Sequence, residues 1–203
     1  VRSASLRFAC PAQPTPLVRP IVLAKYAAVG TFSRLSLVIQ SSGVDNWRCL
    51  FVTAKNDHEV ADHRCTALGI EGDPFQVLQQ KAQAAIVERY PRASESQLRA
   101  VNHRLTQELI TIGQLGFATY FLTVADVAQM IRDMKIRTAA RGSGAGSLVN
   151  YLLGISGVDP IAEGLLFERF LSTERSTLPD IDIDVESARR HEIYRAIFRR
   201  YGG

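Results

Sequence analysis

The chain has 203 residues, a formal net charge of +4 and 46% hydrophobic residues, which describes one folded domain, or one and a half, and excludes wholesale disorder. No uninterrupted apolar run approaches the roughly 18 residues of a membrane helix, so no membrane partner is expected. Three cysteines, Cys10, Cys49 and Cys65, form no CxxC pair, which argues against a disulfide framework and for a reducing compartment. The basic surplus is compatible with a nucleic-acid partner. The first residue is Val1, so the expectation is a fragment or a processed chain.

Residues 1–44 carry Arg2, Arg7, Arg19, Lys25 and Arg34, no Asp or Glu, and Pro11, Pro14, Pro16 and Pro20. Such a stretch reads either as an organelle transit peptide or as a poorly ordered tail or a piece cut from a longer protein. The second reading is preferred, because Ile21–Leu23 and Leu35–Ile39 look like short buried strands rather than a helical presequence. His58, His63 and Cys65 lie close together, but their irregular spacing does not suit a four-ligand zinc site.

From Asp73 the pattern turns helical. Leu78, Ala82, Ala85 and Ile86 make one apolar stripe, and Tyr90-Pro91 ends it. Ser94 followed by Gln97 reads as a capping box. The helix it opens carries Leu98, Val101, Leu105, Leu109 and Ile112, and Gly113 or Gly116 stops it. A third helix is expected after Thr123, with Val124, Val127, Ala128, Ile131 and Met134 on one side. These stripes read as core.

Two segments carry chemistry. The first, Arg141-Gly142-Ser143-Gly144-Ala145-Gly146-Ser147, follows a strand-like run from Ile136 to Ala140 and precedes an apolar helix from Leu148 to Leu153. Glycines there allow the backbone to curl so that its N–H groups converge on an anion. The following helix N-terminus is expected to add positive potential, and Arg141 a charge-assisted contact. A flexible turn is the alternative. The segment lacks the G-K-[ST] of a Walker A motif and the acidic strand end of a dinucleotide fingerprint.

The second segment is Pro179-Asp180-Ile181-Asp182-Ile183-Asp184-Val185-Glu186. Its alternation predicts a strand with Asp180, Asp182 and Asp184 on one face and Ile181, Ile183 and Val185 on the other. Like charges on one face of a strand repel, and hard divalent cations relieve that repulsion. Paired metals held by such carboxylates serve in-line phosphoryl and nucleotidyl transfer. A solvated edge strand, made acidic against aggregation, is the alternative. A last helix from Ser187 to Tyr201 follows. Its apolar stripe is Ile193, Tyr194, Ile197, Phe198 and Tyr201, while Arg189, Arg190, Arg195, Arg199 and Arg200 occupy the remaining surface. That basic face suits either DNA phosphates or plain solvation. His103 and His191 lie among polar helix positions and need no special role.

A Gly-Ser loop upstream of an Asp-x-Asp strand resembles the layout of nucleotidyltransferases with a DNA polymerase beta-like palm. Residues from about Leu105 to Tyr201 also resemble the palm of bacterial C-family DNA polymerases, the alpha subunit of DNA polymerase III. The runs that carry this are Gly116-Phe117 with Tyr120-Phe121-Leu122, ARGSGAGSLVNYLLGIS at 140–156 and Val158-Asp159-Pro160. Leu166-Phe167-Glu168-Arg169-Phe170-Leu171, Glu174-Arg175 and PDIDIDVE at 179–186 complete them in order. The wording of NYLLGISGVDPI is most similar to the error-prone branch.

The resemblance implies an α/β fold, an incomplete polymerase palm preceded by helices. It implies three regions: 1–72 unassigned, 73–104 a helical lead-in and 105–203 the N-terminal part of the palm. The implied activity of the parent is template-directed addition of deoxynucleotides to a primer 3′-end, in replication or error-prone repair synthesis. Asp180 and Asp182 match the metal-binding catalytic aspartates, with two Mg²⁺ ions in the complete enzyme. Gly142 and Ser143 match the triphosphate-binding pair, and Arg169 and Arg175 match basic residues near the nucleotide, joining Arg141 of the loop as nucleotide-binding candidates. Arg169 and Arg175 have a second reading as ion-pair partners of Glu168 or Glu174. Asp184 is not counted as a ligand. The implied partners are primer-template DNA and deoxynucleoside triphosphates, with a sliding clamp and replisome subunits bound through regions absent here. The implied location is the bacterial cytoplasm. The family's third catalytic aspartate comes later than Gly203, so the isolated chain is expected to be inactive. The alternatives are an inactive nucleotide- or DNA-binding module and another nucleotidyltransferase of the same palm superfamily.

Overall fold

The computed structural model describes residues 65–173 and 181–201 in full, and the backbone of residues 3–8, 36–41 and 47–52. Among the described residues the strands are β1 (Ser3–Phe8), β2 (Ser36–Ser41), β3 (Trp47–Val52), β4 (Thr138–Arg141) and β5 (Ile181–Glu186). They form a five-stranded sheet in the order β2-β3-β1-β5-β4. The strand expected at Leu35–Ile39 overlaps β2, whereas Ile21–Leu23, His58 and His63 lie outside the described residues. Cys65 is a free thiol.

The helices are α1 (Pro74–Arg89), α2 (Glu95–Gln114), α3 (Ala118–Asp133), α4 (Leu148–Leu152) and α5 (Arg190–Tyr201). Asp73 caps α1 by accepting from the Phe75 N–H at 3.0 Å, and Pro74 sits in the first turn, where its missing N–H costs nothing. At α2 the Ser94 hydroxyl accepts from Gln97 N–H and the Gln97 side chain accepts from Ser94 N–H, a complete capping box. α2 runs through Gly113, and Gly116, with φ +70°, follows its end. α3 begins at Ala118 rather than after Thr123, and no side chain caps it. The Thr123 hydroxyl instead donates back to the Thr119 carbonyl at 2.7 Å, inside the helix.

The core joins Leu78 and Ala82 of α1, Ile112 of α2, and Phe121, Val127 and Ile131 of α3 to the apolar face of β5. On that face Ile181, Ile183 and Val185 are almost completely buried. α5 adds Ile193, Ile197 and Tyr201, but Phe198, read as part of that stripe, is exposed. Asp126 of α3 ties α5 down by accepting from Arg200 at 2.7 Å and from the Tyr201 hydroxyl at 2.6 Å. No single helix among the described residues is long and apolar enough to cross a membrane. α2 and α3 pass that test only as a pair bent by 114°, and both bury their apolar faces in the core.

Candidate functional site

β5 is an interior strand. β4 pairs with it antiparallel on one side, Arg141 opposite Asp182 and Ala139 opposite Asp184. β1 pairs with it antiparallel on the other, with Arg7 in register with Asp182. The solvated-edge alternative for the acidic strand therefore does not hold. Facing residues of an antiparallel pair share a side of the sheet, so the arginines of β4 lie beside the acids. Arg141 pairs with Asp184 at 3.5 Å, and Arg137 with Glu186 at 2.8 Å. Cross-strand charge pairing, and not a cation alone, thus relieves the repulsion along this face. Asp182 is buried, at 9% exposure, while Asp184 is half-buried.

The chain leaves β4 at Arg141 and enters a 3-10 helix, Gly142–Gly146. Gly142 has φ +75°, a left-handed conformation that side chains rarely tolerate. A Cβ built on Gly142 would lie 3.7 Å from Asp182 Oδ2. The two chemistry-bearing segments of the sequence therefore meet at this point. Arg141, Gly142 and Ser143 are exposed, and Gly144 and Gly146 are buried. Gly146 approaches the Leu166 carbonyl so closely that a Cβ there would sit 2.9 Å from its oxygen. A second 3-10 helix, Phe167–Arg169, packs against the loop and exposes Arg169. No ion pair joins Arg169 to Glu168 among the described residues. Asp180, Glu174 and Arg175 lie outside the described residues.

The helix after the loop departs from expectation. Its N-terminus does not face an incoming anion, because the protein fills that position itself. Glu108, fully buried on α2, accepts from Leu148 N–H at 2.9 Å, Val149 N–H at 3.0 Å and the Ser147 hydroxyl at 2.9 Å. Arg104 Nε donates to the same carboxylate at 2.7 Å. Burial pushes the Glu108 carboxyl above its ordinary value, against the pull of Arg104, the two N–H groups and Ser147. Glu108 was not singled out from the sequence. The signal was present: it sits within the stripe of Val101, Leu105, Leu109 and Ile112, with Arg104 one turn earlier. Arg190 also departs from expectation. It is buried instead of contributing to the basic surface, which leaves Arg195 and Arg199 exposed and Arg200 engaged by Asp126.

Among the described residues no group of three or more His, Cys, Asp or Glu side chains is arranged to hold a metal ion. The oxygen donors at Asp182 nevertheless fit Mg²⁺. That ion is content with one or two carboxylates, completes its shell with water and substrate phosphate, and needs no all-protein cage. Among the described residues, the Asp182 Oδ2 is the atom that a Cβ on Gly142 would meet, at 3.7 Å, at the start of the exposed loop.

Comparison with known proteins gives a consistent result. The model of the bacterial DNA polymerase III alpha NTPase domain matches residues 76–203. An error-prone DNA polymerase of Pseudomonas aeruginosa is 42% identical over 130 residues, 64% of this chain and 12% of that protein. Its counterpart in Anaeromyxobacter dehalogenans is 49% identical over 102 residues, 50% of this chain and 9% of that protein. The counterpart in Symbiobacterium thermophilum is 48% identical over 114 residues, 56% of this chain and 10% of that protein. The chain thus spans about a tenth of the length of these relatives.

Proposed function

The chain belongs to the bacterial DNA polymerase III alpha family, and from that membership we propose that it forms the nucleotide-binding part of an error-prone-type DNA-directed DNA polymerase, with a polymerase beta-like palm as its core. The reaction is transfer of a deoxynucleotide to a primer 3′-end: the 3′-hydroxyl loses its proton to solvent, its oxygen bonds to the α-phosphorus, the α–β bridge breaks and pyrophosphate leaves. The observation that carries this reading is the approach of Gly142 to Asp182 Oδ2, which brings an anion-binding backbone and a carboxylate to one point.

In this reading the backbone N–H groups at Gly142 and Ser143 take the β- and γ-phosphates. Arg141, Arg169 and Arg175 neutralise the triphosphate. For Arg141 this means exchanging Asp184 for phosphate, which a pair at 3.5 Å with an exposed guanidinium permits at little cost. Asp180 and Asp182 would hold Mg²⁺, which when bound would supply positive charge to the phosphate oxygens. The protein itself positions and makes no covalent bond. Primer-template DNA lies along the site, with Arg195 and Arg199 of α5 available to its phosphates. A sliding clamp and replisome subunits bind other parts of the parent polymerase, in the bacterial cytoplasm.

The test is a titration of the isotope-labelled chain with a deoxynucleoside triphosphate and magnesium, followed by NMR. The amides of Gly142, Ser143 and Asp182 are expected to shift first. Gly142→Val is expected to weaken that response by about tenfold or more, because a β-branched side chain both crowds the anion and resists positive φ. Amides at 142–143 that stay in place at millimolar nucleotide, while others move, put the phosphate site elsewhere.

A further inference from the structure

We propose that Glu108 is a positioning residue for the glycine-rich loop: from within α2 it fixes the buried end of the loop and thereby holds Gly142 and Ser143 at Asp182. The inference rests on the reading above that Gly142 and Ser143 face phosphate. It adds a residue that touches neither nucleotide nor metal.

The geometry is a clamp with two arms. One carboxylate receives the Ser147 hydroxyl and two successive backbone N–H groups, Leu148 and Val149. Two adjacent N–H donors need two acceptor oxygens side by side, which a carboxylate supplies and an amide does not. The second arm is Arg104. Its Nε holds Glu108, and its Nη2 donates to the carbonyls of Gly146 at 3.0 Å and Leu165 at 3.1 Å. α2 therefore grips both the loop and the segment that leads into the Phe167–Arg169 turn.

The grip is passed along the loop by short, stiff links. Ser147 N–H donates to the Gly144 carbonyl at 3.2 Å, and Asn150 Nδ2 donates to the same carbonyl at 2.9 Å. A Cβ on Gly144 would lie 3.9 Å from the Ile181 Cα, so the middle of the loop rests on the backbone of β5. The five-residue 3-10 helix then carries this fixed end to Gly142. A shift at Ser147 is transmitted through that helix to the point facing Asp182. Preorganised backbone donors lose their value when they are misplaced by a fraction of an ångström to an ångström.

A plain core role makes a different prediction. A carboxylate that only satisfies buried donors changes stability when altered, and leaves the exposed end of the loop where it was. The test uses Glu108→Gln, which keeps volume and one acceptor but sets an amide NH₂ against one backbone N–H. Arg104→Lys is the second variant; it keeps the charge, loses the fork, and sits at a half-buried position that tolerates change. In the labelled chain without nucleotide, Leu148 and Val149 amide exchange is expected to accelerate by about tenfold, the fold-change of one lost charge-assisted hydrogen bond. The Gly142 and Ser143 signals are expected to move, while Ile183 and Val185 keep their positions and protection. With dATP and magnesium, the concentration needed to shift the loop amides is expected to rise at least about fivefold, by the same loss of preorganisation. If the variants only melt earlier, with Gly142 and Ser143 unmoved and the dATP response unchanged, the positioning role is wrong and the phosphate reading survives. If dATP leaves the wild-type loop amides unmoved while Glu108→Gln still displaces them, the phosphate reading fails and the positioning role stands.

Discussion

The two ends of the glycine-rich loop are built on opposite principles. From Gly144 to Val149 the chain is buried except at the half-buried Ala145, and backbone polar groups at Gly144, Gly146, Leu148 and Val149 are taken by Asn150, Arg104 and Glu108. From Arg141 to Ser143 the chain is exposed, and one residue, Gly142, holds a left-handed conformation beside a carboxylate. The same residue types serve both ends, so composition does not distinguish them. The difference teaches that glycine acts in two ways here. At Gly146 it admits the Leu166 carbonyl, which is a packing requirement. At Gly142 it permits a backbone shape and leaves the surface bare, which is what a ligand requires.

The largest effect is expected from emptying the buried end. Glu108→Ala leaves Arg104, the Ser147 hydroxyl and two N–H groups without their acceptor, and is expected to cost about 3–5 kcal/mol. Urea unfolding of the chain measures it, and a loss below about 1 kcal/mol breaks the picture of a carboxylate gripped by four donors. Next comes a matched pair of alanines. Gly146→Ala must displace the Leu166 backbone and is expected to cost about 1–3 kcal/mol, with nucleotide binding lost only as far as folding is lost. Gly142→Ala meets only an ordinary contact, so its stability cost is the αL strain of about 1–2 kcal/mol, and its nucleotide response weakens out of proportion. Equal nucleotide losses in the two folded variants erase the distinction between the ends.

A smaller effect follows from proton linkage. The Glu108 carboxyl binds its proton more tightly in the folded chain than its ordinary value of 4.5, chiefly through burial, with Arg104 the charged group facing it. The native state then carries more protons than the unfolded state at pH above 4.5. Stability contributed by the protonated form is present below that value and falls as pH rises through the raised native value, with a slope of at most about 1.4 kcal/mol per pH unit. Denaturant midpoints of the wild type and of Glu108→Gln, compared between pH 4 and pH 7, check this: the wild type loses ground relative to the variant as pH rises. Smallest of all, Arg141→Gln removes a long pair between an exposed guanidinium and the half-buried Asp184, and is expected to change stability by less than about 1 kcal/mol. A large loss on thermal melting assigns Arg141 to the anchored end instead.

Much of the helical frame was legible in the sequence because its signals are local. Asp73-Pro74 and the Ser94/Gln97 box each encode a helix start within a few residues. The start of α3 was not legible, since Phe117 at its N-cap supplies no side-chain bond and Thr123 imitates a cap from inside the helix. Each half of the site could be read from its own pattern: glycines between strand and helix, acids alternating with isoleucines. Their meeting could not be read from spacing, because it depends on the β4–β5 register that sets Arg141 opposite Asp182. Glu108 was missed for a related reason. Its donors, Ser147 to Val149, lie far along the chain, and an acid within an apolar stripe looks like a fault in the pattern until they arrive.

The alternation of β5 also acts as a key. With isoleucines and valine facing the core and acids facing the arginines of β4, a slip of one residue would swap the faces. Asp182 and Asp184 would enter the hydrocarbon interior while Ile183 and Val185 faced water. Such a mispaired strand forfeits both burial and charge pairing at once, so no near-native register competes with the correct one. The aspartates proposed as metal ligands therefore also proofread the assembly of their strand: a copy of the fold with its acids misplaced is one that does not hold together.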